Sequence, residues 1–197
     1  MGAVPRALAA ALLLLTAGAA RAAEWEVRDD ASVLEFDVVV NDIENRGRFP
    51  AFTGRGSFDP EAPERSALSL EIDASRLDLG NPIASTFARS VDWFDAEAHP
   101  TALFRLDGVR PDPDGVEGEW LATGVLELRG IAQPVEAALV LVLEDGEARA
   151  IGETVVDRTL FGIGRGPTSL IIDVEREIRV RFDLSARPVL PQAADAD

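Results

Sequence analysis

His99 is the one imidazole in a chain of 197 residues, and it stands directly before Pro100. An imidazole takes and gives protons near neutral pH, and with a serine and an aspartate it can drive acyl transfer. No Cys, Lys or Tyr accompanies it. Thiol nucleophiles, disulfide staples, zinc–thiolate and iron–sulfur centres are therefore excluded, as are Schiff bases and the lysine of a phosphate-binding P-loop. A lone His before a helix-stopping Pro reads as a surface or capping residue, not the centre of a triad. Two further runs invite chemistry. Asp112-Pro113-Asp114-Gly115 begins like a calcium loop but lacks further oxygen ligands at fixed spacing, so it reads as a hairpin turn. Gly162-Ile163-Gly164-Arg165-Gly166 carries the glycines of a nucleotide loop, yet Pro167 follows and no helix opens there. It reads as a kinked strand end or a loop that lets backbones approach closely. The inventory assigns no catalytic residue, metal ligand or resident cofactor, and argues against an enzyme.

What remains is binding, and charge narrows the partners. The chain carries 19 basic residues, all Arg, against 35 acids, for a net charge of −16. Such a surface repels phosphate backbones and anionic headgroups, which excludes nucleic acid as a partner. A hydrophobic fraction of 47% is ordinary for a globular chain, and the length suits one domain. Residues 1–22 read as a cleaved export signal: Arg6 gives a positive start, Ala7 to Ala17 an apolar stretch, and Ala20-Arg21-Ala22 a cleavage site. The expected location is therefore the periplasm, with a domain over 23–187 and a disordered tail over 188–197.

The elements that position any site are mostly strands. Leu34, Phe36, Val38 and Val40 alternate with acids, and Ile178, Val180, Phe182 and Leu184 alternate with Arg179, Arg181 and Asp183. Similar alternation runs through Phe52–Phe58, Leu68–Ile72, Ala102–Leu106 and Trp120–Leu128. Val135 to Leu143 is apolar at nearly every position, so there the length decides for strand. Asp145-Gly146 and Asp114-Gly115 predict hairpins, and Asn45-Arg46-Gly47 a softer turn. One segment breaks the pattern. From Pro82 to Ala98, Ile83, Phe87, Val91 and Phe94 fall at helical spacing, with Asn81 as N-cap, Pro82 in the first turn and Pro100 beyond the end. The result is an all-β chain, an antiparallel barrel or sandwich of about eight strands with one helical insertion.

The order and punctuation of these elements resemble the YceI-like family. Gly47-Arg48-Phe49 through Phe58-Asp59-Pro60 is similar to its G-x-F, aromatic-x-G and F-D-P run. Phe87 to Asp95 with His99-Pro100 and Phe104 is similar to its helical segment. Gly124 to Gly130 with Gln133-Pro134-Val135 resembles G-x-L-T-I-x-G-x-x-x-P-V, and Arg158 with Phe161-Gly162 resembles R-x-x-F-G. The chain departs from the pattern at Val40 and Asn41, where many members carry His, and at Leu160, where an acid is common.

The resemblance implies an elongated lipocalin-like barrel around an apolar cavity that takes polyisoprenoids or isoprenoid quinones. It further implies a b-type cytochrome of the membrane as a conceivable redox partner, since some relatives are encoded with or fused to one. By strand parity Phe36, Val38, Phe52, Phe58, Phe104, Leu126, Ile178 and Phe182 point inward, and Phe87 and Phe94 cover the barrel from the helix. These ten are the candidate ligand-binding residues. The inward set offers almost no polar group, Arg176 being the main exception. Each buried CH₂ contributes about 0.8 kcal/mol, so a dozen isoprenoid carbons give roughly 10 kcal/mol gross. The expected function is a non-catalytic carrier sequestering an isoprenoid lipid. The alternative is an accessory module docking on a membrane redox or envelope complex, with lipid as structural filling. The sequence leaves the oligomeric state open, a homodimer included.

Overall fold

The computed structural model describes residues 23–58 and 62–189. Residues 1–22, read as an export signal, and 190–197 of the tail lie outside the described residues. Ten strands follow in order: β1 (Ala23–Val27), β2 (Val33–Val40), β3 (Ile43–Arg48), β4 (Phe52–Phe58), β5 (Ala67–Asp73), β6 (Thr101–Pro111), β7 (Glu119–Leu128), β8 (Ile131–Glu144), β9 (Glu147–Asp157) and β10 (Glu177–Pro188). One helix, α1 (Pro82–Ala88), lies between β5 and β6.

Eight of the strands close a barrel in the order β1-β4-β5-β6-β7-β8-β9-β10, sealed by β1 against β10. All neighbours are antiparallel. β2 and β3 continue β1 and β4 beyond a short 3₁₀ turn at Asp29–Ala31 and beyond Pro50. β2 stays on β10, with Phe36 opposite Val180, and β3 pairs only with β2. Closure removes the edges of the eight barrel strands and leaves β3 as an outer edge, bridged at Arg48 to Asp78.

Three hairpins use two-residue turns with both residues at positive φ: Asn41-Asp42, Arg129-Gly130 and Asp145-Gly146. That geometry matches the twist of the flanking strands. The first two were not legible as turns. Asn45-Arg46-Gly47, which reads as one, lies inside β3, where Gly47 faces Phe36 across the ladder. A Cβ on Gly47 would overlap the Phe36 ring, so the glycine serves packing. Gly152 stands opposite Phe182 in the same way, its absent Cβ leaving room for a ring carbon 2.7 Å from where it would sit.

The helix starts as its sequence predicts, with the Asn81 side chain accepting hydrogen bonds from the Ile83 and Ala84 amides. It ends at Ala88, short of Ala98. Beyond it the chain folds back through turns, with Asp95 at positive φ and the Phe94 amide bonded to the Ala88 carbonyl. The reason is packing. Phe87 and Trp93 lie in contact 5.7 Å apart, and no straight helix presents residues six apart on one face. Ile83 and Val91, which share helical spacing with the two phenylalanines, are exposed instead.

The two ends of the barrel differ. The long connections 74–100 and 158–176 and the turns at 41–42 and 129–130 gather at one end. They bring Leu77, Trp93, Phe161, Ile163 and Val174 against Phe36, Val38 and Val156 in one solid cluster. Phe161 is 1% exposed and Leu77 fully buried. The opposite end carries the 112–118 loop, the 145–146 turn, the start of β1 and the end of β10.

Candidate functional site

In the half of the barrel away from the solid cluster, the inward faces of the strands enclose a cavity of about 220 Å³. Val27, Leu34, Leu70, Phe104, Leu139 and Phe182 form much of its wall. Small residues make the room, with Gly56, Ala122, Ala137, Ala148 and Ala150 taking inward positions where larger side chains would meet. The cavity continues toward the strand ends at Ser57, Ser66, Ala148 and Ala186. It exceeds the roughly 150 Å³ that an apolar protein hole needs to hold a benzene ring.

Of the ten candidate residues, Phe104, Leu126 and Phe182 line this cavity. Phe36 and Val38 belong to the solid cluster, with Ile178, Phe87 and Phe94 packed on its margin. Phe36 lies tilted against Phe49 and Phe94 meets it edge-on, with centroids 5.3 and 5.9 Å from that of Phe49, so an aromatic run fills this end of the barrel. Phe52 is buried with Val27, Leu34, Leu70 and Ile72 but stands outside the cavity wall. Phe58 ends β4, and its side chain lies outside the described residues. Arg176 is exposed and bonds Asp157 at 2.7 Å just before β10 begins, so it brings no charge inside.

The residues of the 158–166 loop brace the solid end. The buried Arg158 guanidinium donates to the carbonyls of Glu175 at 2.8 Å and Ile163 at 2.6 Å, and to Val174. It also sits over the Trp93 ring, 5.5 Å from its centroid. Desolvation by burial lowers its pKa, and the ring of carbonyl acceptors compensates the cation. Gly164, at φ +70°, is where the chain passes against Arg158 and Trp93, which a side chain there would strike. This is close backbone approach, as the run of glycines suggests. Arg129 ties the same loop to the neighbouring one, donating to the Gly162 and Val91 carbonyls.

The other candidates for chemistry are turn and surface groups. His99 is half-buried, its Nε2 4.0 Å from the Asp95 carboxylate. Asp112 accepts from the Asp114 amide inside the β6–β7 loop. Among the described residues no cluster of His, Asp and Glu suits a metal ion, and no helix is long and apolar enough to cross a membrane. Asn41, where many relatives of the resembled family carry His, accepts from the Asp173 amide and so pins the 158–176 connection.

Ser66 went unnoticed in the sequence. It directly precedes β5 at the cavity wall, is buried, and its hydroxyl has no hydrogen-bond partner among the described residues. A serine at a strand start, one place after an exposed Arg65, gives no signal of this.

Comparison with known proteins agrees with the architecture. A UPF0312 protein of Azotobacter vinelandii is 30% identical over 184 residues, covering 86% of this chain and 94% of that one. A UPF0312 protein of Vibrio campbellii is 32% identical over 139 residues, covering 68% and 72%. Among solved structures, BcnA of Burkholderia cenocepacia superposes with a TM-score of 0.70 at 24% identity, covering 81% of this chain and 98% of its own. A domain from Saccharophagus degradans, described as polyisoprenoid binding, gives 0.67 at 16% identity, covering 86% and 100%. The YceI-like domain profile matches residues 25–186, the whole closed barrel with its two long connections, and the chain belongs to the YceI-like family.

Proposed function

We propose that this protein is a non-catalytic carrier that sequesters an isoprenoid lipid, a polyprenoid or an isoprenoid quinone, in the barrel after export to the periplasm. The observation that carries the reading is a cavity walled by aliphatic and aromatic side chains in one half of a barrel whose other half is solid. Such a chamber rewards carbon chains and offers little to a small polar molecule. The Saccharophagus degradans domain, described as polyisoprenoid binding, shares the fold and supports the choice of an isoprenoid. The chain's own chemistry supports binding over turnover, since its one His sits at the surface beside Asp95.

The volume limits how the lipid is held. A dozen buried carbons give roughly 10 kcal/mol, from which association removes at least about 4. The remaining 6 or so corresponds to a Kd of tens of micromolar. A longer chain gains affinity only if Phe104 and Phe182 swing aside or the chain continues past Ser57 and Ser66. Organic extraction of protein purified from its native host, followed by mass spectrometry, tests the reading. An isoprenoid in stoichiometric amount is the expected result; a clean extract from intact protein refutes it.

A second reading, an accessory module docking on an envelope complex, rests on the opposite end. Ile43, Ile83, Val91, Leu160, Leu170 and Ile171 all lie exposed on the connections and turns that gather there, Ile83 at 82% and Leu170 at 86%. Aliphatic side chains gathered so are unusual on a free surface. Loss of co-purifying envelope proteins from an Ile83→Ser, Leu170→Ser variant that retains its lipid supports docking.

A further inference from the structure

Among the described residues the cavity wall carries a buried hydroxyl that the fold leaves unused, that of Ser66. Ser66 is 8% exposed, lines the cavity, and its hydroxyl meets no donor or acceptor among the described residues. A buried hydroxyl without a partner is destabilising, and such groups persist where something outside the chain satisfies them. The other hydroxyl of known partner on the wall is engaged, since Thr154 donates to the Glu136 carbonyl at 2.6 Å.

Charge selects what the partner can be. Arg149 is the one charged residue of the cavity wall, and its Nε donates to Asp183 at 2.7 Å while Nη2 takes the second carboxylate oxygen. Arg28, at the same end, is held by Glu147 at 2.9 Å and Asp30 at 3.2 Å. Arg65 is exposed and forms no part of the wall. A phosphate or carboxylate brought to this place would find Arg149 and Arg28 already neutralised, in a chain of net charge −16. An uncharged oxygen carries no such cost.

We infer that Ser66 is the polar anchor of the lipid site, bonding an uncharged oxygen at the head of an isoprenoid, a prenol hydroxyl or a quinone carbonyl, while the hydrocarbon tail runs inward past Phe104 and Phe182. The inference rests on the lipid-carrier reading and adds to it the class of headgroup and the direction of the chain. It also explains why the wall keeps a buried hydroxyl without a partner where alanine would fit.

The test compares ligands that share one tail. Geranylgeraniol, a prenyl quinone of equal chain length, geranylgeranyl phosphate and a hydrocarbon of equal chain length are titrated into delipidated wild type and Ser66→Ala. In wild type the alcohol and the quinone bind more tightly than the hydrocarbon, and the phosphate binds no better than the hydrocarbon. Ser66→Ala weakens whichever neutral head is the partner by about three- to tenfold, the value of one hydrogen bond, and leaves the hydrocarbon unchanged. The head that loses affinity separates prenol from quinone. Equal losses for head and hydrocarbon, no loss for either head, or tightest binding of the phosphate would overturn the assignment of Ser66 while the carrier reading stands. Failure of all four to bind wild type brings down the carrier reading and the anchor with it. A folding control comes with the same variant. Empty Ser66→Ala should melt at or above empty wild type, because it removes an unsatisfied buried group. A lower melting temperature would show that the hydroxyl serves the fold and would also overturn the assignment.

Discussion

The two halves of this barrel are built from the same alternation of inward and outward residues and end differently. At one end the two long connections, 74–100 and 158–176, drive Trp93, Phe161 and Ile163 onto the inward faces of β2 and β9, leaving the cluster solid. At the other the β6–β7 and β8–β9 connections are short, the inward positions shrink to Ala and Gly, and space remains. Parity therefore decides which residues face in. What the loops bring decides whether they meet neighbours or space.

The comparison breaks most visibly in truncation. Phe161→Ala removes a ring that is 1% exposed from a tightly filled site and should cost about 3–5 kcal/mol, with lipid bound or not. Phe182→Ala borders a space already present and should cost less, about 1.5–3 kcal/mol, while reducing lipid retention. Chemical denaturation of both variants, each stripped and lipid-loaded, measures the difference. Equal costs would mean that the two halves are one continuous core.

Enlargement sharpens the same contrast. Phe36→Trp adds atoms to a site where the ring already lies over Gly47 and against Phe49, and overpacking should cost about 1–3 kcal/mol. Phe104→Trp and Phe182→Trp should instead fill the cavity, with little change in melting temperature and clear loss of lipid. If both melt well below wild type with lipid content unchanged, their rings are ordinary core.

How far the sequence foretold this divides along the same line. The period of two in β10 and β2, the Asn81-Pro82 helix start and the Asp145-Gly146 hairpin were legible because each is a local signal. The Asn41-Asp42 turn was not, because neither residue is Gly and the nearby Asn-Arg-Gly run looked the better turn. Phe36 and Phe182 carry identical parity signals, yet one lies in the solid end and the other at the cavity. Position along the barrel axis depends on where connections of 27 and 19 residues fold back, which no strand period encodes. Ser66 was invisible for a related reason. Its lack of a partner is a property of everything around it, not of its neighbours in sequence.

The helical segment gives the next test. As a cover for the barrel it is the natural gate for an entering chain, and its hydrogen exchange should then slow when lipid is bound. In the structure Phe87 and Phe94 sit on the solid cluster, away from the cavity wall. Exchange across Ile83 to Phe94 should therefore be the same in stripped and filled protein. The amides of Ala67–Leu70 and Ala148–Ala150, beside Ser66 and the 145–146 turn, should respond instead. Protection that rises in the helix and not in these strands would move the gate back to the solid end.

The smallest expected effect separates the ends by pH. Asp157 caps the turn after β9 at the solid end, and its pKa is pushed down to about 2. The Thr159 hydroxyl, donating at 2.6 Å, is the chief cause; its effect is opposed by desolvation and reinforced by the Thr159 amide and Arg176. A carboxyl whose pKa is lower folded than unfolded stabilises the fold above its unfolded value, near 3.9. That contribution is lost as pH falls toward 2, because the proton then binds the folded state as readily as the unfolded one. Asp157→Asn keeps an acceptor for the Thr159 amide and removes the titration. The variant should be less stable than wild type at neutral pH, and the gap should close between about pH 4 and pH 2. Other carboxylates titrate in that window in both proteins, so the difference between the two denaturation midpoints isolates this one. Lipid affinity at neutral pH should not change, because Asp157 is not part of the cavity wall. A gap that persists undiminished at pH 2 would mean that Asp157 acts by shape and not by charge, and a loss of lipid at pH 7 would show that the solid end reaches the cavity through Val156, which borders both.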